Sequence, residues 1–321
     1  MKKFISILAL LMACLLTVSL MGCDTSDTAG DTAQNEESTP EQTKPDTSEP
    51  SETNPPKKSE LDLSFENEAK ANFKNATNRK MSCVMDVDMT MTVEGKNIPV
   101  SQTVKTDVLT NGDNEYTDMS IRQNTNGTVA ETLSKVTQIG NDFYVYSKQT
   151  AQQTAEGYLK INAQPEELQK AEQELGASES DIVFSVGHFL DVSQKQNSDG
   201  SVTYTCMGLR DTAAELYEEQ FNASAGMMGV TTKFDINKQS MKYVVTVKDG
   251  NFVSVSIDMK VDMAVEIGGT TVPVFCVYDI DYTFSYGNVA PITVPTDAGF
   301  ATAPVYSWAQ YWQMVQNSIG N

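Results

Sequence analysis

Long runs of strictly alternating apolar and polar residues constrain this chain more than any other feature. In residues 83–93 every odd position is apolar, while Asp and Thr fill most even positions. Residues 253–267 and 272–286 alternate in the same way. A period of two over this length is typical of strands with one buried and one solvated face, and antiparallel sheets accommodate such strands. The sequence therefore predicts a long antiparallel sheet.

Residue pairs that tolerate positive φ separate these runs and predict hairpins. Examples are Asn126-Gly127 and Asp249-Gly250, which suit tight two-residue turns. Further strands are expected near residues 98–109, 115–123, 128–138, 142–148, 157–162, 201–208 and 241–248. Helices are expected at 65–77, with Ser64 as the N-cap, and at Pro165–Leu175, Asp211–Asn222 and Val305–Val315. The predicted fold is mainly β (α+β), a long curved antiparallel sheet or half-barrel with a few covering helices.

One segment of the chain echoes another. Residues 87–100 align without gaps with residues 261–274, and six of the fourteen positions are identical. Duplication of a strand–hairpin unit would explain the match, and so would two similar hairpins that arose independently.

The first 22 residues have the parts of an export signal. Lys2 and Lys3 precede an apolar run from Phe4 to Leu20, and Leu20-Met21-Gly22-Cys23 follows. The run is short for a membrane span, which favours a signal peptide over residues 1–22. The closing tetrapeptide resembles the lipobox of bacterial lipoproteins. That resemblance implies acylation of Cys23, a membrane partner through the acyl anchor, and a location on the extracytoplasmic face of the cell membrane.

Residues 23–60 are predicted to form a lipidated cysteine and a disordered acidic tether. Positions 24–60 contain no Leu, Ile, Val, Phe, Met, Tyr or Trp, and five prolines are spread along them. Such a segment cannot offset the entropy of ordering by burying apolar surface. A folded domain is then expected over residues 61–321.

The charge of the chain excludes one class of partner. The formal net charge is −20, and loss of the two lysines in the signal peptide would bring it to about −22. Nucleic-acid binding requires a basic surface for phosphates, so it is not expected.

The residues that could carry chemistry favour a protein that is not an enzyme. His188 is the only histidine and lies in an apolar context, which predicts a packed or surface histidine rather than a triad member. The three cysteines of the domain, Cys83, Cys206 and Cys276, match no metal or redox spacing. Buried thiols are favoured for them, with one disulfide and a leftover thiol as the alternative. No metal site and no cofactor are predicted.

Two apolar features could serve binding. The first is a methionine stripe on the apolar phase of the long strands, made of Met85, Met89, Met91, Met259 and Met263. It suits either the lining of a site for an apolar ligand or simple core packing, because methionine adapts to irregular partners. The second is an aromatic patch at helical spacing, Tyr306, Trp308, Tyr311 and Trp312. Docking on the sheet is expected of the helix face that carries Trp308, Trp312 and Val315, with contact to a partner or membrane as the alternative.

The order of these segments also resembles a known group of proteins. A lipobox, an acidic tether, a short helix and Met- and Asp-rich strands lead to a closing segment, Tyr282 to Pro295. This resembles uncharacterised lipoproteins of Gram-positive bacteria whose domain is similar to LolA-type carriers and mycobacterial lipid-carrier lipoproteins. The resemblance implies a curved sheet that holds acyl chains beneath covering helices, without catalytic residues. The alternative is a structural or protein-interaction lipoprotein with a fully packed core.

Overall fold

The computed structural model describes residues 63–93, 95–150, 154–167, 185–210, 231–234, 240–267 and 270–319. The predicted signal peptide, Cys23 and the predicted tether lie outside the described residues. So do the predicted helix Asp211–Asn222 and most of Pro165–Leu175, of which residues 165–167 are described and helical.

The described residues form thirteen strands and few helices. The strands are β1 (Asn78–Val93), β2 (Lys96–Asn111), β3 (Asn114–Thr125), β4 (Thr128–Ile139), β5 (Asp142–Thr150), β6 (Thr154–Asn162), β7 (Phe189–Gln196), β8 (Val202–Leu209), β9 (Thr231–Phe234), β10 (Ser240–Lys248), β11 (Asn251–Ile267), β12 (Thr270–Tyr286) and β13 (Val305–Ser307). The helices are α1 (Ser64–Asn75), a 3-10 helix (Val186–His188), α2 (Ala298–Ala301) and α3 (Trp308–Ile319).

All of these strands belong to one sheet. Its order is β13-β6-β5-β4-β3-β2-β1-β12-β11-β10-β8-β7, and β9 pairs with β11 beside that path. Every pairing is antiparallel except that of β13 with β6. In the described part of the chain β13 and β7 are the two edges, and the sheet is open between them. The predicted mainly β, antiparallel fold is confirmed.

The two echoing segments form neighbouring hairpins with the same register. Met89 pairs with Val100 in the β1–β2 hairpin, and the equivalent Met263 pairs with Val274 in the β11–β12 hairpin. The hairpins lie side by side because β1 also pairs with β12. The structural similarity of the two units is therefore real, and duplication as its origin stays a prediction.

The sheet has an inner face and an outer face, and the core lies on the inner one. Helix α1 packs there over β10 and β11, where Ala69 is fully buried beside Tyr243 and Val255. Helix α3 packs near the other edge, where Trp308 lies against Phe143 and Ile161. The docking predicted for the aromatic patch is thus confirmed for this tryptophan.

Three local predictions were wrong. The helix expected from Val305 begins at Trp308 instead, because Val305–Ser307 adds a parallel strand to β6. Ser64 is the first helical residue rather than the N-cap, and no side chain caps α1. Val253 was expected on the apolar face, but a bulge between the pairs Thr246–Ser254 and Val247–Phe252 places Val253 on the outer face, 39% exposed.

Candidate ligand-binding face

All five residues of the methionine stripe lie on the inner face of the sheet. Met85, Met89 and Met91 follow one another along β1, while Met259 and Met263 lie on β11. Strand β12 runs between β1 and β11 and pairs with both. The alternation in the sequence therefore predicted the correct face for these side chains. The order of the strands brings β1 and β11 to the two sides of β12.

Four of the five methionines form one cluster around the side chains of β12. Met89 pairs with Cys276, Met91 and Met263 both pair with Val274, and Met259 pairs with Tyr278. These residues share a hydrophobic cluster. Met85 belongs to the adjacent cluster on the same face, and Tyr278 packs against both clusters. The stripe is therefore a continuous apolar surface across β1, β12 and β11.

Burial divides the stripe into two parts. Met85, Met91 and Met263 are each 8% exposed, as expected of core residues. Met89 and Met259 are only half-buried. The side chains of Met89 and Met259 can contact a ligand without repacking of the core. The other three methionines pack against neighbouring side chains as core residues do.

Two further methionines on the same face were missed by the sequence reasoning. Met119 on β3 is 2% exposed and packs in the cluster of Met85, while Met241 on β10 pairs with Met259. Both occupy the apolar phase of strands that were predicted. Extending the alternation count from the longest runs to these strands would have found them.

The three cysteines of the domain also lie on the inner face. Cys83, Cys206 and Cys276 are buried and free, which confirms the prediction of buried thiols over the alternative with a disulfide. Burial raises the pKa of Cys83 and Cys276 to about 11 and that of Cys206 to about 12. The thiol form is therefore retained at neutral pH, and these residues act as small apolar side chains.

His188 ends the 3-10 helix and is half-buried. Its Nδ1 accepts a hydrogen bond from the backbone N–H of Ser185 at 3.4 Å. Burial and the nearby Lys70 lower its pKa. This half-buried position is consistent with the predicted packed or surface histidine. Within the described ranges no group of three or more His, Cys, Asp or Glu side chains could hold a metal ion.

Two cavities are lined by residues outside the stripe. One, of about 330 Å³, lies on the outer face of the sheet beneath α2. The other, of about 240 Å³, lies beside α3 and is lined by Tyr306 and Met314 among others. No helix in the described part of the chain is both long enough and apolar enough to cross a bilayer.

These features define an open, mainly β protein with a methionine-rich inner face. No protein-family model matches the chain, and no curated protein matches it. Among solved structures the chain is similar to a beta-barrel-like protein of the domain of unknown function DUF1849 from Brucella abortus, with 12% identity over 64% of this chain and 99% of the other, and a TM-score of 0.26.

A DUF1329 family protein from Desulfovibrio piger is 11% identical over 71% of this chain and 93% of its own, with a TM-score of 0.19. The ywiB protein from Bacillus subtilis is 10% identical over 65% of this chain and 94% of its own, with a TM-score of 0.15. At this level of similarity no property of this chain follows from these structures.

Proposed function

We propose that this protein is a non-enzymatic lipoprotein that binds an apolar ligand, a lipid in the first instance, on the methionine stripe. In this proposal acyl chains on Cys23 hold the chain on the extracytoplasmic face of the membrane. The observation that carries the ligand-binding part is the gathering of four methionines around β12, with Met89 and Met259 half-buried at the surface of that cluster.

The chemistry of the side chains supports an apolar and adaptable ligand. Methionine has an unbranched, polarisable side chain that repacks around irregular apolar shapes, and it is common at surfaces that accept several ligands. Val or Ile would form better strands at these positions. Met89 and Met259 therefore suit contact with a flexible chain better than they suit strand stability.

The anchoring part rests on the N-terminal sequence. The apolar run, the small residue Gly22 and Cys23 together resemble a lipobox, and two or three acyl chains give stable anchoring. Incorporation of an alkyne-labelled palmitate into the wild-type chain, with loss of label in Cys23→Ser, is the expected result. Equal labelling of both chains would contradict the anchoring.

Ligand binding can be tested by native mass spectrometry of the chain from Asp24 onward, purified without detergent. We expect a stoichiometric apolar adduct that solvent extraction releases for lipid analysis. Met89→Asp and Met259→Asp should abolish it, since each places a charge on the apolar surface. Thr90→Asp is the matched control, because Thr90 is the neighbour of Met89 on the opposite face of β1. A clean unliganded mass, with no uptake of fluorescent fatty acid, would contradict the proposal.

A structural or interaction lipoprotein is the second candidate, and one observation favours it. Met85, Met91 and Met263 are as buried as ordinary core residues. If the stripe serves only as core, Met89→Asp should lower the free energy of unfolding while no apolar adduct is present in the wild-type protein.

A further inference from the structure

A cavity on the outer face of the sheet carries an inference that is independent of the methionine stripe. Two rows of side chains cross β3 to β6 there. The first row runs from strand to strand through the cross-strand neighbours Asp118, Lys135, Tyr146 and Tyr158. The second row consists of the cross-strand neighbours Tyr116, Thr137 and Tyr144. The segment from Pro295 to Phe300 covers these rows and encloses about 330 Å³.

The walls of this cavity are aromatic and meet at steep angles. Phe300 stands at 84° to Tyr144, with ring centroids 5.8 Å apart, and at 85° to Tyr158, with centroids 5.0 Å apart. Tyr146 and Tyr158 are also 5.0 Å apart. Gly299 permits this approach, because a Cβ at that position would lie 2.4 Å from the Tyr158 ring. We call these rings, with Tyr116 and the carboxylate of Asp297, the tyrosine box.

Two charged residues line the cavity, Asp297 and Lys135, and two further carboxylates are bonded to its tyrosines. The hydroxyl of Tyr116 donates to Asp118 Oδ2 at 3.1 Å, and that of Tyr158 donates to Glu156 Oε1 at 3.2 Å. Lys135 Nζ lies 3.7 Å from Asp118 Oδ2. In residues 63–319, as far as they are described, no lysine or arginine forms an ion pair with Asp297.

Desolvation and neighbouring carboxylates shift the pKa of three tyrosines of the box in the same direction. Desolvation first, and then Asp118, raise the pKa of Tyr116 to about 12. Desolvation and the carboxylates of Glu156 and Asp297 raise the pKa of Tyr146 and of Tyr158. Asp118, Glu156 and Asp297 thus lie near the tyrosines, and the one lysine of the lining, Lys135, lies beside Asp118, so the charges here disfavour phosphates and carboxylates as ligands.

A sugar would also stack on aromatic rings, but two observations disfavour it. The hydroxyls of Tyr116 and Tyr158 are already bonded to carboxylates, so they have less capacity for sugar hydroxyls. An uncharged ligand would also gain no Coulombic attraction from the carboxylate of Asp297 in the lining. Aromatic faces beside a carboxylate are instead the chemistry that binds quaternary ammonium groups.

We infer that the tyrosine box binds a small organic cation of the quaternary-ammonium class, with the ring faces around the cation and Asp297 supplying the negative charge. The cation could come from a free metabolite or from a lipid head group that carries the same trimethylammonium. The tyrosine box and the methionine stripe lie on opposite faces of the sheet. Failure of either proposal therefore leaves the other intact.

The test is a calorimetric titration of the full chain, in a polyoxyethylene detergent, with choline and with 3,3-dimethylbutan-1-ol. The alcohol has the same shape but carbon in place of the charged nitrogen. We expect saturable binding of choline at one site and affinity for the alcohol at least about tenfold lower. Equal affinity for both, saturable binding of glucose instead of choline, or no saturation by choline up to about 20 mM would overturn the inference.

Variants locate the site. Asp297→Asn and Tyr146→Leu should each weaken choline binding by about tenfold, and Tyr146→Phe by about twofold, because phenylalanine keeps the ring face. Glu131→Gln is the control for a lost surface charge, since Glu131 is 57% exposed and does not line the cavity. Unchanged affinity in Asp297→Asn and Tyr146→Leu would overturn the assignment. Competition by phosphatidylcholine in mixed detergent micelles would identify the head group as the source of the cation, and its absence would identify the free cation.

Discussion

The carboxylate of Glu66 on α1 accepts a hydrogen bond from the backbone N–H of Val186, 120 residues further along the chain, at 3.0 Å. The same carboxylate accepts a hydrogen bond from the hydroxyl of Ser185 at 3.0 Å and forms an ion pair with Lys70 at 3.1 Å. Glu66 is fully buried. This one side chain therefore attaches the first helix to the segment that leads into β7.

Glu66→Gln should lower the free energy of unfolding by about 1–3 kcal/mol, because it replaces hydrogen bonds to a buried carboxylate and removes the partner of Lys70. Urea unfolding followed by circular dichroism measures the change. Glu131→Gln serves as the control, since its ion pair with Arg122 is exposed and contributes little. Equal stability of wild type and Glu66→Gln would show that the charge of Glu66 does not contribute to holding α1 in place.

Gly250 at the β10–β11 turn should tolerate substitution less well than a glycine at an open turn. Gly250 has φ of 70° and its carbonyl accepts a hydrogen bond from Asn72 Nδ2 at 2.7 Å. A Cβ there would lie 2.9 Å from that nitrogen and closer still to Glu68. Gly250→Ala should therefore displace the side chains of Glu68 and Asn72 and break the hydrogen bond between Asn72 and the turn.

Gly112, with φ of 61° and nothing within 4 Å of an added Cβ, is the matched control. Gly112→Ala should cost about 1 kcal/mol through backbone strain alone, and Gly250→Ala about 1 kcal/mol more. In a Glu68→Ala, Asn72→Ala background the difference between the two glycine variants should disappear, because both contacting side chains are then removed. A persisting difference in thermal unfolding would mean that neither side chain is the group displaced.

Asp279 lies on the outer face between Asp86 and Asp258, which pair with it from the two neighbouring strands. Desolvation first, and then Asp281, Asp258 and Asp86, raise its pKa. Because the folded pKa is raised, the contribution of this group to stability is complete below its unfolded pKa near 3.9 and is lost as the pH rises through the folded pKa.

Asp279→Asn should consequently stabilise the protein at pH 7, by at most about 0.5 kcal/mol since the site is exposed to solvent. The gain should vanish near pH 3, and it should shrink in 1 M salt. Asp88→Asn, which pairs with Val277 rather than with another carboxylate, is the comparison. A gain that is independent of pH would rule out charge repulsion as its cause.

The three buried cysteines should be inert in the folded protein. Their raised pKa values, about 11 to 12, mean that folding favours the neutral thiol. Their contribution to stability is therefore full below the unfolded pKa near 8.5 and is lost as the pH rises toward 11. Reaction with a thiol reagent at pH 8 should occur only at the rate of unfolding. Fast labelling of any of the three in the native state would contradict this.

The alternation of residue types predicted much of the fold, because a strand that is buried on one face must place every second side chain there. It located β1, β11 and β12, placed the methionine stripe on one face, and put Cys83, Cys206 and Cys276 in the core. It failed at β7, whose polar sequence shows no alternation because it lies at the sheet edge. It also failed at Val253, since a bulge reverses the phase without a signal in the residue types.

Strand neighbours were beyond the reach of the sequence, since pairing between distant strands depends on the packing of the whole sheet. That β12 lies between β1 and β11 decided that Met89 and Met263 share one cluster. The tyrosine box likewise appeared only in the tertiary structure, because the segment carrying Phe300 crosses four strands that are far from it along the chain. The sequence by itself determined which faces are apolar, through the period of two. Only the tertiary structure decided which of those residues meet, because contact between distant segments follows from sheet order and register.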